Sequence, residues 1–190
     1  EGKTKYIGGG EESFGYLPGD FVRDKDGVAA ITLVAEAAAW ARETMGITLY
    51  EWLQQLYVKY GFFREGLVNV VRKGKDGAAE IQQMMVNYRE NPPKAILGSP
   101  VVKILDYKTL EEIDVKSGER KPIEGIDEKS NVLQWLTEDG TKVSVRPSGT
   151  EPKIKFYFGV KAPLCCVEKF DEVQAALDKK LEDIKVELAL

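Results

Sequence analysis

No histidine occurs anywhere in the 190 residues. That absence rules out a Ser-His-Asp triad, a Cys-His pair and any His-ligated zinc or haem built from this chain alone. Cysteine is almost as scarce. Cys165 and Cys166 are the only thiols, and being adjacent they provide neither an ordinary structural disulfide nor half of a zinc site. Two thiols fit a reducing compartment, and so a cytoplasmic location. Apolar runs of the roughly 18 residues that a membrane span needs are missing, and no charged-then-apolar leader opens the chain. Neither a membrane nor a secretory route is expected. An excess of positive charge is lacking too: 27 basic against 31 acidic side chains leave a formal charge of −4, so nucleic acid is not an expected partner.

What is present is an ordinary globular composition, 43% hydrophobic and 31% charged, at a length suited to one or two domains. The chain opens at Glu1 without methionine and almost at once enters a glycine-rich stretch. It reads as a piece of a longer polypeptide.

Residues 1–27 read as one long loop of glycines and acids. Residues 28–45, alanine-rich and apolar nearly all round, read as a buried helix. Thr48-Leu49-Tyr50-Glu51 is a capping box opening a second helix, with Leu49, Trp52, Leu53, Leu56 and Tyr60 at helical spacing and Gly61 as its stop. A strand is expected over 62–72. A third helix follows from an Asp76 cap to about residue 88, broken by Asn91-Pro92-Pro93. The segment from Pro92 to Pro100 is the expected domain boundary.

Beyond it come short strands at 101–107, 132–137, 142–146 and 153–160, with Asp139-Gly140 as a tight hairpin signal between the middle pair. A last helix over 167–188 carries Phe170, Val173, Leu177, Leu181, Ile184 and Leu188 along one stripe. The second domain is therefore expected to be α+β, an antiparallel sheet with a helix packed on one face.

Two loops carry chemistry. In Arg146-Pro147-Ser148-Gly149-Thr150-Glu151-Pro152 the prolines stop both flanking strands, and Gly149 leaves room for a backbone nest of N–H groups. Ser148 and Thr150 add hydroxyls, and Arg146 offers a fork matched to phosphate oxygens. Lys153, Lys155 and Tyr157 share one face of the following strand, Ile154, Phe156 and Phe158 the other. The alternative is a proline-glycine turn with solvated lysines. The second loop, from Gly10 to Asp26, holds five acids against Arg23 and Lys25. Its carboxylates and Ser13 suit the vicinal hydroxyls of a sugar, or a hard cation. Asp26 could equally cap the following helix. One loop suits hydroxyls and the other phosphate, the two ends of a phosphorylated sugar.

At these residues the chain resembles a known family. Gly10-Glu11-Glu12-Ser13-Phe14-Gly15 followed by Arg23-Asp24-Lys25-Asp26-Gly27 is similar to the sugar-specificity loop of the α-D-phosphohexomutases, the phosphoglucomutase/phosphomannomutase family. The stretch from Arg146 to Pro152 resembles that family's C-terminal phosphate-binding loop, and the two stand in the family's order.

The resemblance implies an α/β plus α+β chain. Residues 1–93 would be the C-terminal part of the third of four domains, and residues 94–190 the fourth. It implies that Glu11 and Ser13 hold the sugar's secondary hydroxyls and that Arg146, Ser148, Gly149 and Thr150 hold the phosphate that is not reacting. Lys25 would approach the substrate and Lys155 would add charge beside the phosphate. The activity implied is that of an isomerase-class intramolecular phosphotransferase, which passes a phosphoryl group between a phosphoserine and a hexose phosphate. Glucose 1,6-bisphosphate is the implied intermediate and activator.

The phosphoserine loop and the acidic magnesium loop of such enzymes are not found in this sequence. This chain is thus expected to contribute no nucleophile and no metal ligand, to depend on the remaining N-terminal domains of the same enzyme, and to be inactive alone. Dual-specificity phosphomannomutases often have methionine at the place of Glu12 and Gly-His at the place of Phe14-Gly15. The form here looks more like phosphoglucomutases. The Gly15 to Asp26 stretch is also similar to a branch with phosphopentomutases and glucose-bisphosphate synthases. From a different class, a stand-alone sugar-phosphate binding module remains the alternative.

Overall fold

The computed structural model describes residues 6–11, 15–21, 24–72, 74 and 76–190. The chain gathers into two compact units, Glu1–Leu56 and Tyr57–Leu190.

In the first unit, part of the expected loop is a small antiparallel hairpin: β1 (Gly9–Glu11) pairs with β2 (Gly15–Leu17), Gly10 opposite Tyr16. Strands of three residues are too short to show alternation, which is why the sequence reads as loop. Helix α1 (Gly27–Met45) starts at Asp26, whose carboxylate accepts the N–H groups of Val28 at 2.9 Å and Ala29 at 3.1 Å. Asp26 is thus occupied as a cap. Helix α2 (Leu49–Tyr60) opens with the expected capping box. The Thr48 N–H donates to Glu51 Oε2 at 2.7 Å, and the Glu51 N–H donates to Thr48 Oγ1 at 3.2 Å.

The burial expected of α1 is not found. Val28, Ile31, Val34 and Trp40 are exposed, and Ala41 is its one buried residue. An apolar helix is buried only if other elements cover it, and the described part of this unit offers a hairpin of two three-residue strands and the start of α2. The Trp40 and Trp52 rings meet at 5.2 Å.

The second unit is an antiparallel sheet with two helices on one face. Strand β3 (Phe62–Val71) leads to α3 (Gly77–Glu90), at whose start Asp76 makes no side-chain capping bond, contrary to the sequence reading. The short β4 (Ala95–Ile96) turns into β5 (Ser99–Asp106), and then come β6 (Glu111–Asp114), β7 (Arg120–Pro122), β8 (Leu133–Thr137), β9 (Lys142–Pro147) and β10 (Lys153–Ala162). A 3-10 turn, Val167–Lys169, introduces α4 (Phe170–Glu187). The strand order is β3-β10-β9-β8-β5-β6-β7, with β4 beside β5.

The division between units does not fall at Pro92–Pro100. β3 pairs with β10 over its whole length, from Phe62 opposite Ala162 to Val71 opposite Lys153, and this binds β3 and α3 to the second unit. The proline segment instead makes the β4–β5 hairpin. Its turn residues Leu97 and Gly98 both have positive φ, 47° and 76°, as a two-residue primed turn requires.

The core lies between the sheet and the helices. Trp135, Val143, Val145, Ile154, Phe156 and Ile184 are fully buried. From α4, the stripe residues Phe170, Leu177, Leu181 and Ile184 pack inward. Tyr88 of α3 meets Trp135 and Phe156 edge-on at 5.3 and 6.0 Å.

Three ion pairs fasten helices to the sheet and its turns. Arg64 binds Asp178 at 2.6 Å, Arg89 binds Asp106 at 2.8 Å and also donates to Asn131 at 2.8 Å, and Lys180 binds Asp139 at 2.6 Å. Partial burial pushes the Asp139 carboxyl up, but Lys180, the Thr137 hydroxyl and the Thr141 N–H outweigh it and hold it far below its ordinary range.

The opposite face of the sheet is mixed, with Phe63, Leu67 and Val71 of β3 exposed on it, and its far edge is charged: Glu112 of β6 takes Lys103 at 2.6 Å and Lys121 at 3.3 Å. Among the described residues no helix is long and apolar enough to cross a membrane.

Candidate functional site

The loop between β9 and β10 closes a surface cavity of about 320 Å³. Strand alternation sets its walls. On β10 the even-numbered residues 154, 156 and 158 face the core, so Lys153 and Lys155 face the outer side of the sheet. The register places Lys155 directly opposite Arg146 of β9. Both are in the cavity lining with Lys153, so three cations converge within a few residues.

Like charges opposite one another across two strands destabilise a sheet. The arrangement therefore does not serve the fold, and an anion would relieve it. Lys153 is already neutralised by an ion pair with Glu151. Arg146 makes no ion pair with the described residues. The Lys155 ammonium lies 5.8 Å from the centroid of the Tyr157 ring, within range of a cation–π contact.

The loop itself is held by its ends. The Ser148 N–H donates to the Lys153 carbonyl at 2.9 Å, and the Arg72 N–H donates to the Pro152 carbonyl at 2.9 Å. At the tip, the Ser148 hydroxyl oxygen accepts the N–H of Thr150 at 3.4 Å and of Glu151 at 3.3 Å, long bonds. These N–H groups belong to the nest read from the sequence, and a weak internal acceptor fills it. Gly149 has no positive φ, and a Cβ built there meets nothing within 4 Å. Neither backbone strain nor internal crowding requires glycine here. The space it leaves is that of the cavity.

The structure thus brings Arg146, Ser148, Gly149, Thr150 and Lys155 together around one space. Lys153 and Glu151 complete it, beyond the site residues that the sequence points to; the alternation with Lys155 and the run of cations after the loop are the signals that mark Lys153. Hydroxyls, backbone N–H groups and cations in a small open space can take a dianionic phosphate ester.

The loop expected to hold a sugar lies in the other unit. Glu11 ends β1, opposite Gly15, while its side chain and all of Ser13 lie outside the described residues. Lys25 is half-buried: its N–H donates to Asp24 Oδ1 at 2.8 Å and its ammonium lies 3.8 Å from the same atom. A Cβ on Gly15 would stand 2.5 Å from the Lys25 Cβ, so the glycine lets that stem pass.

Among the described residues no cluster of three or more Cys, Asp or Glu side chains could hold a metal ion. A larger cavity, about 480 Å³, opens beside Tyr60, Phe63 and Lys161, but Asp139, its carboxylate, is engaged by Lys180.

Comparison with known proteins follows the same division. Residues 2–60 match the family model described as phosphoglucomutase/phosphomannomutase, alpha/beta/alpha domain III, and residues 67–180 match that of the phosphoglucomutase/phosphomannomutase C-terminal domain. Phosphoglucomutases from Staphylococcus aureus strains MRSA252 and N315 are each 37% identical over 163 residues, which is 86% of this chain and 28% of theirs. The chain therefore spans 28% of the length of these curated relatives. A solved structure of parafusin (pp63), a phosphoglucomutase from Paramecium in its open form, is 14% identical with a TM-score of 0.49, covering 91% of this chain and 30% of that one.

Proposed function

The chain belongs to the phosphoglucomutase/phosphomannomutase family, and from that membership we propose that it is the substrate-holding portion of an enzyme interconverting hexose 1-phosphate and hexose 6-phosphate. The observation that carries this is the β9–β10 cavity, where Arg146 and Lys155 stand side by side beneath two hydroxyls and a glycine.

In this reading Arg146, Ser148, Gly149 and Thr150 hold whichever phosphate is not reacting, and Lys155 adds charge beside it. Glu11 and Ser13 accept and donate to the sugar's secondary hydroxyls, with Lys25 close by. The phosphoryl group passes from a serine elsewhere in the longer polypeptide to the free hydroxyl of the hexose monophosphate. The resulting 1,6-bisphosphate turns over, and its other phosphoryl group returns to serine. This chain's residues orient and neutralise, and orientation is a large part of phosphoryl-transfer catalysis.

The magnesium ion that the family implies finds no cluster to hold it among the described residues. No step of this chain is routed through it. Glucose phosphate is the first choice of substrate, supported by the Glu-Glu-Ser-Phe sequence and by the names of the relatives. A cytoplasmic location fits two free thiols.

The test is kinetic. In the complete polypeptide, with the charge pair shielded from water, Arg146→Ala should cost roughly 2–5 kcal/mol in transition-state binding, read from kcat/KM for glucose 1-phosphate, while the present chain alone should give no turnover. An unchanged kcat/KM refutes the phosphate-holding role. Turnover by the chain alone refutes its dependence on the other domains.

A further inference from the structure

Between β10 and the turn before α4 runs Pro163-Leu164-Cys165-Cys166. Leu164 is buried and pins the segment, while Cys165 is exposed and Cys166 partly so. The two sulfurs touch at 3.5 Å. Adjacent residues across a trans peptide have Cα atoms about 3.8 Å apart, less than the ~4.4–6.8 Å that disulfides prefer. A direct S–S bond of about 2.05 Å would need both sulfurs to move far and the backbone to strain.

One atom shared between them needs no such movement. Two sulfur bonds of about 2.3 Å meeting at roughly 100° put the sulfurs about 3.5 Å apart. Zinc and other ions that want four ligands are not served here, because no third Cys, Asp or Glu completes a metal cluster among the described residues. A soft centre content with two thiolates is.

We propose that Cys165 and Cys166 form a chelating site for a soft trivalent metalloid, of the class of the organoarsenicals. The reaction with an arsine oxide balances without redox. Each thiol gives up its proton, two As–S bonds form, the As=O oxygen leaves as water, and arsenic stays trivalent. The Cys165 thiol and then the Glu168 carboxylate, both in contact with Cys166, hold its thiol above the ordinary range. Cys166 is therefore kept protonated and is a poor nucleophile toward disulfides. This site is independent of the phosphate cavity and of the proposed reaction.

The experiment is to mix the chain with phenylarsine oxide and measure intact mass. One adduct is expected, heavier by one phenylarsenic group less two hydrogens. It should survive excess glutathione and be removed by ethanedithiol, because a single thiol cannot match the effective concentration of an adjacent pair. Cys165→Ser and Cys166→Ser should each weaken capture by about a hundredfold or more and make any adduct labile to glutathione. Unfolding midpoints of both variants confirm that the fold is kept. No adduct on the natural chain, two adducts, or a glutathione-resistant adduct on either variant overturns the proposal.

Discussion

Replacing Arg146 by alanine separates what serves the fold from what serves a ligand. Arg146 is exposed, makes no ion pair with the described residues and faces Lys155 across the β9–β10 ladder. Like charges directly opposed across two strands destabilise a sheet by about 0.2–1 kcal/mol, less in salt. Arg146→Ala should therefore leave the unfolding free energy unchanged or raise it by up to about 1 kcal/mol.

Ligand binding should move the other way. A guanidinium–phosphate hydrogen bond contributes about 1.5–3 kcal/mol when well shielded, and in this open cavity about 1–2. That corresponds to a loss of roughly five- to thirtyfold in affinity for a phosphate ester. Urea unfolding with a constant m-value reads the first quantity, and calorimetric titration with glucose 1-phosphate reads the second. A variant destabilised by more than about 1 kcal/mol, or one that binds as tightly as the natural chain, refutes the reasoning.

Removing the Arg89 side chain strands Asp106, which is buried but keeps the Lys108 N–H at 2.9 Å; Arg89→Ala should cost about 2–4 kcal/mol in urea unfolding, and a loss under about 1 contradicts the anchoring role. Asp139 contributes stability that is fully present above its unfolded pKa, near the ordinary 3.8, and lost as pH falls toward its lower folded value. Asp139→Asn keeps the hydroxyl and N–H contacts but not the charge, so the stability gap between natural and variant chains should be widest near about pH 6 and shrink by about pH 3; a constant gap refutes this.

The sequence made some elements legible and hid others for physical reasons. The capping box at Thr48 and Glu51 is local chemistry, complete within four residues, and the structure repeats it. The stripe on α4 and the alternation on β10 were visible because each has one buried face. The β6–β7 hairpin was not, because Glu111, Glu112, Arg120 and Lys121 carry no apolar alternation. Its pairing is expressed in ion pairs that only the fold brings together. The exposure of α1 is hidden for another reason: composition reports what a helix could bury, not what is there to cover it. In the cavity, loop chemistry pointed to Arg146 through Thr150, but the opposition of Arg146 and Lys155 needed the strand register.

The central claim is that the β9–β10 loop binds the phosphate of a sugar phosphate. The most direct measurement is a two-dimensional amide NMR titration of the chain with glucose 1-phosphate, set beside one with unphosphorylated glucose. Shifts centred on Arg146, Ser148, Gly149, Thr150 and Lys155, with glucose leaving them unmoved, are the predicted result. Shifts centred on Tyr60 and Lys161 instead, or an equal response to glucose, would contradict it.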